Sequence, residues 1–337
     1  MDIDIDSISL TYYPLNTSYK YNGDEYFLGY NFDTHAFDIF NLSTKTTSHI
    51  ELVPEGPDGL LNVRGIYAHS VDSIWVFTDN IISLVDSAGK VKERIDLPLA
   101  DEIPFIETNF TVCTSKIYYH FIRNSLFYLT FSVENNKNIF SVHEYSPTDR
   151  SVKKYPLKAI ENHDFRNQYG WKQFPNVTFS EENIIYNFPI ESNIYLIDIK
   201  SGETTSYGGK SLYTSNNVTT LNSPFNFTQG NRHLSENVHF YELLYDPHKK
   251  VYYRLHFDRI DFDTKTDFYA LCSSKDMYLN VFNEKMEVIN ETKLDRYKYN
   301  YRNCWGILNK GFFIAKDNML DEDKNYEQFQ IDVFYLE

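Results

Sequence analysis

The 337-residue chain is poor in the residues that favour helices. Alanine, the strongest helix former, occurs only seven times, whereas tyrosine (28) and phenylalanine (26) are abundant. Aromatic residues favour pleated, half-buried strands. We therefore predict an all-β chain.

Cysteine is also scarce, and the three cysteines have no characteristic spacing. Cys113, Cys272 and Cys304 form no CxxC pair and are odd in number. This pattern indicates neither a disulfide framework nor a cysteine-rich zinc site. We interpret all three as buried structural thiols.

Basic charge and long apolar runs are missing as well. The 32 Lys and Arg residues are outnumbered by 47 Asp and Glu residues, which gives a net charge of -15. A nucleic-acid-binding surface needs a basic stripe, so we expect no nucleic-acid partner. No stretch approaches the ~18 apolar residues of a membrane-spanning helix.

One short pattern, by contrast, occurs five times: an alternating strand, a polar turn and a second strand ending in a hydrophobic residue. The copies are FDIFNLSTKTTSHIEL from Phe37, ISLVDSAGKVKERIDL from Ile82, FSVHEYSPTDRSVKKYPL from Phe140, IYLIDIKSGETTSYGG from Ile194 and YLNVFNEKMEVINETKL from Tyr278. Recurrence at intervals of tens of residues indicates an array, here of β-hairpins.

Two further strands precede most of these hairpins, which makes each unit a four-stranded meander. The second unit shows this best, with strands predicted at 63–69, 73–78, 81–85 and 91–97. The last unit has only three strands, at 304–308, 311–315 and 328–335. A surplus strand at 2–10 can pair with them and close a ring, which removes an exposed sheet edge.

We therefore predict a single six-bladed β-propeller domain over residues 1–337, closed by the N-terminal strand. The blades are predicted at approximately 11–53, 61–98, 108–158, 176–208, 237–295 and 302–337, with strand 2–10 completing the last. The alternatives are a seven-bladed ring, with the extra blade in 208–237, and two β-sandwiches. Segment 208–237 shows little alternation and reads as a long loop, and no linker divides the chain.

Three segments carry a resemblance to a known family: EGPDGL at 55–60, GIYAHSVDSIWVF from Gly65 and VDSAGK at 85–90. The whole chain resembles the six-bladed propeller lipoproteins of gut-dwelling Gram-negative bacteria grouped as domain of unknown function 4221. The resemblance implies an exported protein of the periplasm or cell surface, anchored by a lipid on a cysteine that this chain lacks. It implies membrane contact only through that anchor, and it transfers no catalytic residue.

Long loops supply the candidate binding residues. Loops 158–175, 208–237 and 295–303 are predicted on one face of the ring, where loops on a rigid scaffold vary freely. Aromatic faces stack on sugar rings or peptide side chains, and Arg binds hydroxyls and carbonyls. The predicted ligand-binding residues are His163, Arg166, Tyr169, Trp171, Arg232, His233, Tyr301 and Arg302.

Catalytic motifs are missing from the sequence. It contains no HExxH, GxSxG or Gly-rich phosphate loop, so we assign no catalytic residue and no metal ligand. The acidic runs 258–267 and 317–323 lack the Gly and Glu of a calcium-binding loop and read as solvated turns. We therefore predict no cofactor, with calcium as the alternative.

The function predicted from the sequence is that of a monomeric, exported, envelope-associated module that binds a glycan, a peptide or a partner protein. The alternative is a propeller hydrolase or lactonase with a metal at the channel mouth. Against it, the predicted inner strands offer Asn176 and Glu242 but no ring of carboxylates.

Overall fold

Alternating apolar residues fold, as predicted, into strands that pair antiparallel with their neighbours along the chain. The computed structural model describes residues 1–99, 102–104, 116–135, 137–158, 169–221, 226–302 and 304–336. Within them, 25 strands form six sheets, and the inner strands of most neighbouring sheets contact one another. The six-bladed propeller predicted from the repeats is confirmed.

The first strand, β1 (Asp2–Asp4), belongs to the last blade, and the first three blades follow it in the chain. Blade 1 consists of β2 (Asn16–Tyr21), β3 (Asp24–Asn31), β4 (Ala36–Asn41) and β5 (Thr46–Glu51). Blade 2 consists of β6 (Val63–Ser70), β7 (Ser73–Thr78), β8 (Ile81–Val85) and β9 (Val91–Asp96). Blade 3 consists of β10 (Ile103–Pro104), β11 (Tyr118–His120), β12 (Ser125–Glu134), β13 (Lys137–Tyr145) and β14 (Val152–Pro156).

The remaining blades include two short helices between their strands. Blade 4 consists of β15 (Asn176–Phe179), β16 (Asn183–Asn187), β17 (Asn193–Asp198) and β18 (Thr204–Gly208). Helix α1 (Phe227–Ser235) precedes blade 5, which consists of β19 (His239–Asp246), β20 (Val251–Phe257), α2 (Phe268–Ser273), β21 (Met277–Asn283) and β22 (Val288–Lys293). Blade 6 consists of β23 (Trp305–Leu308), β24 (Gly311–Ala315) and β25 (Gln328–Phe334), with β1 as its outer strand.

The core lies between the blades, because each strand pair presents one apolar face to the next sheet. Six clusters of buried side chains fill the six junctions, including the junction of blade 6 with blade 1. Facing members, in order around the ring, are Leu28 and Ile74, Trp75 and Leu126, Phe140 and Phe188, Ile194 and Phe282, Tyr253 and Phe312, and Phe313 and Phe27.

Strand β1 closes the ring by pairing with β25. Ile3 lies opposite Phe329 and is fully buried. The Phe329 ring in turn lies 4.7 Å from the ring centroid of Phe27 in blade 1. The predicted closure is confirmed, but the strand is shorter than the expected 2–10. It ends at Asp4, because Asp6 Oδ1 accepts hydrogen bonds from the backbone amides of Ile8 and Ser9 and turns the chain.

A histidine fastens the segment that follows β1 to blade 1. His49 Nε2 lies 2.8 Å from Asp6 Oδ2, and His49 Nδ1 lies 2.8 Å from Asp38 Oδ1. Burial alone would lower the pKa of His49, but the hydrogen bonds and charges of the two carboxylates raise it above its usual 6.5. The closure is thus linked to the protonation of one side chain.

The structure corrects the prediction for segment 208–237. It contains α1, which begins at the cap residue Asn226, whose side chain accepts from the amide of Gln229. Helix α2 similarly begins after Asp267, which accepts from the amides of Tyr269 and Ala270.

Other expectations concern blade 3, the cysteines and membrane spans. The predicted start of blade 3 at 108 and Cys113 lie outside the described residues, whereas Cys272 and Cys304 are buried thiols. Within the described residues no helix is long and apolar enough to cross a membrane.

Candidate functional site

The chain enters every inner strand on the same side of the ring, and the loops between second and third strands share that side. We call it the upper face. A cavity of about 300 Å³ opens there where blades 5, 6 and 1 meet. This upper cavity is lined by Tyr12, Tyr269, Ser273, Asn300, Tyr301, Arg302, Asp317, Met319 and Lys324.

A guanidinium stacked on tyrosine rings forms one side of the upper cavity. The Arg302 guanidinium carbon lies 4.7 Å from the ring centroid of Tyr269 and 5.9 Å from that of Tyr301. The hydroxyl of Tyr12 is buried and has no hydrogen-bond partner among the described residues. Burial raises the pKa of Tyr12 well above its usual 10, so this hydroxyl keeps its proton and can donate.

An ion pair forms another part of the lining of the upper cavity. Lys324 Nζ lies 2.5 Å from Asp317 Oδ1, which also accepts from the Thr11 hydroxyl at 3.0 Å. Asp317 is only 8% exposed, so the interpretation of this acidic run as a solvated turn is wrong at that position. The cavity therefore combines two cations, one carboxylate and three tyrosines.

Buried hydrogen bonds hold the loops of the upper cavity in place. The Asn318 amide donates to the carbonyls of Ser273 and Tyr299, both at 2.8 Å, which joins helix α2 to the loop before β23. The Tyr241 hydroxyl donates to the Tyr301 carbonyl at 2.5 Å. Loops tied in this way present their side chains with little rearrangement.

Two buried lysines meet beneath the same face, at the end of α1. Lys172 Nζ donates to the carbonyls of Asn237 and Val238 at 3.1 and 2.5 Å. Lys275 Nζ donates to the carbonyls of Leu234 and Asn237 at 3.0 and 3.2 Å. Both ammonium positions thus lie at the negative end of the helix dipole, where cations stabilise a helix C-terminus.

The two lysines have no carboxylate within ion-pair distance in the described part of the chain, although Lys172 is 0% and Lys275 6% exposed. Burial lowers the pKa of Lys275 to about 8 and that of Lys172 well below its usual 10.5, and the neighbouring Lys275 charge lowers Lys172 further. Lys275 therefore holds the charge at neutral pH.

The structure brings two of the predicted ligand-binding residues together. Tyr301 and Arg302 line the upper cavity. Arg232 is exposed on α1, with its guanidinium carbon 5.4 Å from the ring centroid of Phe262, and it does not line the cavity.

The other predicted residues lie in the core or outside the described set. Tyr169 packs in the core between blades 3 and 4 and is 8% exposed. His233 is buried with Nε2 2.6 Å from the Thr219 carbonyl, and burial lowers its pKa to about 4. His163, Arg166 and the side chain of Trp171 lie outside the described residues; the Trp171 backbone belongs to a 3₁₀ helix, Gly170–Gln173.

Sequence reasoning did not find Tyr12, Tyr269 or Lys324, and it misread Asp317. These residues lie on three separate loops and share no spacing that would bring them together. The sequence feature that did indicate the cavity is the adjacency of Tyr301 and Arg302 just before an inner strand.

The inner strand β19 carries a buried carboxylate, Glu242, at a β-bulge. Its Oε1 accepts from the indole N–H of Trp305 at 2.8 Å, and its Oε2 has no hydrogen-bond partner in the described part of the protein. Asn176 donates to the Phe240 carbonyl at 2.9 Å. Across the described residues no three His, Cys, Asp or Glu side chains cluster as a metal site would require.

A serine, a histidine and a glutamate also meet between blades 4 and 5, but their geometry is that of an anchor. Ser211 Oγ and Glu291 Oε1 lie 3.2 and 3.3 Å from the same atom, His256 Nε2. A proton relay would need the carboxylate on the other ring nitrogen. The trio instead fixes the loop after β18 to blade 5, where Glu291 also accepts from the Leu212 amide.

Six sheets around a channel, closed by the first strand of the chain, define a six-bladed β-propeller. The sequence model for the domain of unknown function DUF4221 matches residues 1–293, and the chain belongs to this family. No curated protein sequence matches it.

Solved structures show the same fold. A DUF4221 member from Bacteroides vulgatus superimposes with a TM-score of 0.83 at 17% identity, covering 99% of this chain and 97% of that one. A protein of Bacteroides fragilis, provisionally named as exported, gives 0.59 at 11% identity, covering 98% and 92%. The calcium-binding protein regucalcin of Agrobacterium tumefaciens gives 0.47 at 9% identity, covering 93% and 87%, which carries no functional argument.

Proposed function

We propose that the protein is a non-enzymatic binding module of the cell envelope that holds a short saccharide in the upper cavity. The observation that supports this proposal is that one cavity is lined both by the Arg302 guanidinium over the Tyr269 ring and by the Asp317–Lys324 ion pair. Planar faces next to both donors and acceptors are what a sugar ring requires, since it has apolar faces and hydroxyls on its edge.

The size of the cavity supports a small ligand. A volume of about 300 Å³ is at the lower end of ligand pockets, which span roughly 300–1,000 Å³. This volume suits one or two sugar rings better than an extended chain. The two cations against one carboxylate favour a saccharide that carries an acidic group.

Location at the envelope rests on relatives. The Bacteroides fragilis structure is provisionally named as an exported protein, and its fold is shared over most of both chains. We propose export for this chain as well, with a lipid anchor as in the lipoproteins that its sequence resembles.

A glycan array with a parallel peptide array tests the proposal. Wild type is compared with Tyr269→Ala, which removes a half-exposed ring and should leave the fold intact, since Tyr269 is 49% exposed. Tyr335→Ala is the matched control, because Tyr335 is 59% exposed and does not line the cavity.

We expect acidic glycans to bind wild type and the control but not Tyr269→Ala. If only peptides bind, the saccharide proposal is wrong and the ligand of the upper cavity is a peptide. Equal glycan binding by all three proteins would place the site elsewhere. Calcium-dependent cleavage of a bound glycan would overturn the non-enzymatic proposal in favour of the hydrolase alternative.

A further inference from the structure

A second cavity, on the opposite side of the ring, has different chemistry. This lower cleft, of about 780 Å³, runs between blades 4 and 5 on the side that carries the β15–β16, β19–β20 and β21–β22 turns. It reaches inward to Tyr118 of blade 3. It shares no lining residue with the upper cavity.

Aromatic rings form much of the wall of the lower cleft. Tyr118 stacks on Phe179 with ring centroids 5.2 Å apart and planes 5° apart. Tyr245 packs against its cross-strand partner Tyr252 at 4.8 Å. Ring faces of this kind attract cations through their quadrupole.

Carboxylates outnumber cations in the same lining. Glu181 and Glu182 lie on the turn of blade 4 and Glu284 on a turn of blade 5, whereas Lys250 is the one lysine or arginine among the lining residues. Within the part of the chain that the structure describes, none of the three carboxylates has a lysine, arginine or histidine within ion-pair distance. Burial first, and then the charges of Glu284, Glu182, Asp246 and Glu181, raise the pKa of Tyr245, so the three cleft glutamates all lie close enough to act on this side chain.

A largely buried tyrosine on the cleft wall adds a hydroxyl with no internal partner among the described residues. Tyr252 lines the lower cleft and is only 6% exposed, yet its hydroxyl makes no hydrogen bond to any described residue. Burial raises its pKa to about 12, so it remains a neutral donor and acceptor. Because Tyr252 lines the lower cleft, a bound ligand can form a hydrogen bond with this hydroxyl.

We infer that the lower cleft binds a small organic cation with two or more ammonium groups, the chemistry of linear polyamines. Carboxylates on two different blades suit two separated positive charges. Aromatic faces between them suit the methylene chain and the ammonium groups. This inference is independent of the proposed function, because its site, its residues and the charge of its ligand all differ.

Isothermal titration with spermidine tests the inference on the full chain. Glu182→Gln and Glu284→Gln each remove one exposed carboxylate without changing side-chain size. Glu203→Gln is the matched control, since Glu203 is exposed on the turn between β17 and β18 on the same side but does not line the cleft. Tyr245→Leu and Tyr245→Phe separate the ring face from the hydroxyl.

We expect spermidine to bind wild type, and Glu182→Gln and Glu284→Gln each to weaken binding about fivefold, the effect of one exposed charge pair. Glu203→Gln and Tyr245→Phe should leave affinity within about twofold, and Tyr245→Leu should weaken it by about fivefold. If Tyr245→Leu fails to fold, the glutamate variants alone decide.

Three results would overturn the inference. One is no binding of spermidine at millimolar concentration. Another is equal weakening by Glu182→Gln and Glu203→Gln, which would mean general attraction to an acidic protein. The third is a lysine-rich peptide that binds more tightly than spermidine through the same glutamates, which would make the partner a polypeptide.

Discussion

Replacing Lys275 by methionine should change how the stability of the protein depends on pH. Methionine replaces the apolar stem of the lysine and is shorter only by the terminal nitrogen, so it keeps the apolar contacts but removes the buried charge. Burial lowers the pKa of Lys275 from the usual 10.5 to about 8, which corresponds to about 3 kcal/mol of cost for keeping the ammonium charged in the fold at pH 7.

The variant also loses hydrogen bonds, so its stability at pH 7 is a difference of similar terms. The Leu234 carbonyl loses its lysine donor, while the Asn237 carbonyl keeps Lys172. An unpaired buried carbonyl costs about 1–3 kcal/mol, which offsets most of the gain. The difference in stability between the two proteins at a single pH is therefore a weak test of the buried charge. The change of that difference with pH is the stronger test.

The sign follows from proton binding. Between the folded pKa of about 8 and the unfolded value of 10.5, the unfolded chain holds the proton and the fold does not. Stability of the wild type therefore rises with pH in this window. Relative to Lys275→Met, the wild type should gain about 2 kcal/mol in the free energy of unfolding between about pH 7 and pH 9.5.

Urea unfolding of both proteins at the two pH values measures this gain. Lys285→Met is the control, because Lys285 is exposed in the β21–β22 turn and its ammonium is solvated in both states. Its difference from wild type should stay constant with pH. The free energy of unfolding of wild type minus that of Lys275→Met should rise between pH 7 and pH 9.5. If it stays constant or falls, the ammonium of Lys275 is not desolvated and the account of the lysine pair is wrong.

Three further substitutions test the fold. Ile3→Ala should lower the free energy of unfolding by about 2–4 kcal/mol in chemical denaturation, because Ile3 is fully buried in the closing junction, whereas Ile8→Ala, at a 49% exposed residue, should change it little. Gly29→Ala should lower the melting temperature sharply, since a Cβ there would lie 2.2 Å from Tyr13 Cγ, whereas Gly208→Ala meets no atom within 4 Å. Protonated His49 should stabilise the fold fully below its usual pKa of 6.5, and this stabilisation should be lost as the pH rises through the raised pKa of the folded state. His49→Gln should therefore lower the free energy of unfolding more at about pH 6 than at about pH 8, as measured by denaturation curves. If the effect of His49→Gln is the same at both pH values, protonation of His49 does not stabilise the ring closure.

The ring could be predicted from the sequence because its signals are local. Alternation marks each strand, turn residues mark each hairpin, and the strand count leaves one strand over at the start and one missing at the end. The short reach of β1 could not be predicted, since it depends on the Asp6 side chain turning back on the amide of Ser9. Helices α1 and α2 were missed because they have nine and six residues, which is shorter than the stretch over which a helical period can be recognised.

The upper cavity was predictable only in part. Tyr301 and Arg302 are adjacent in sequence and occur just before an inner strand, which identified their loop. Asp317 and Lys324 pair across a loop whose charges read as solvent-facing, because burial depends on neighbouring blades. The meeting of Lys172 and Lys275 could not be predicted from the sequence. The two residues belong to different blades, and no sequence pattern indicates that both donate to the carbonyl of Asn237.

The two cavities differ in the charge of their lining, although the protein as a whole carries -15. The upper cavity has Arg302 and Lys324 against Asp317, whereas the lower cleft has three glutamates against Lys250. All of these residues lie on loops or turns, and the strands beneath them repeat from blade to blade. Because the inter-blade clusters fix the ring, loop sequences can change sign on one face without disturbing the other. The net charge of the protein therefore predicts neither ligand. The charge of each cavity depends on the residues of the loops that line it.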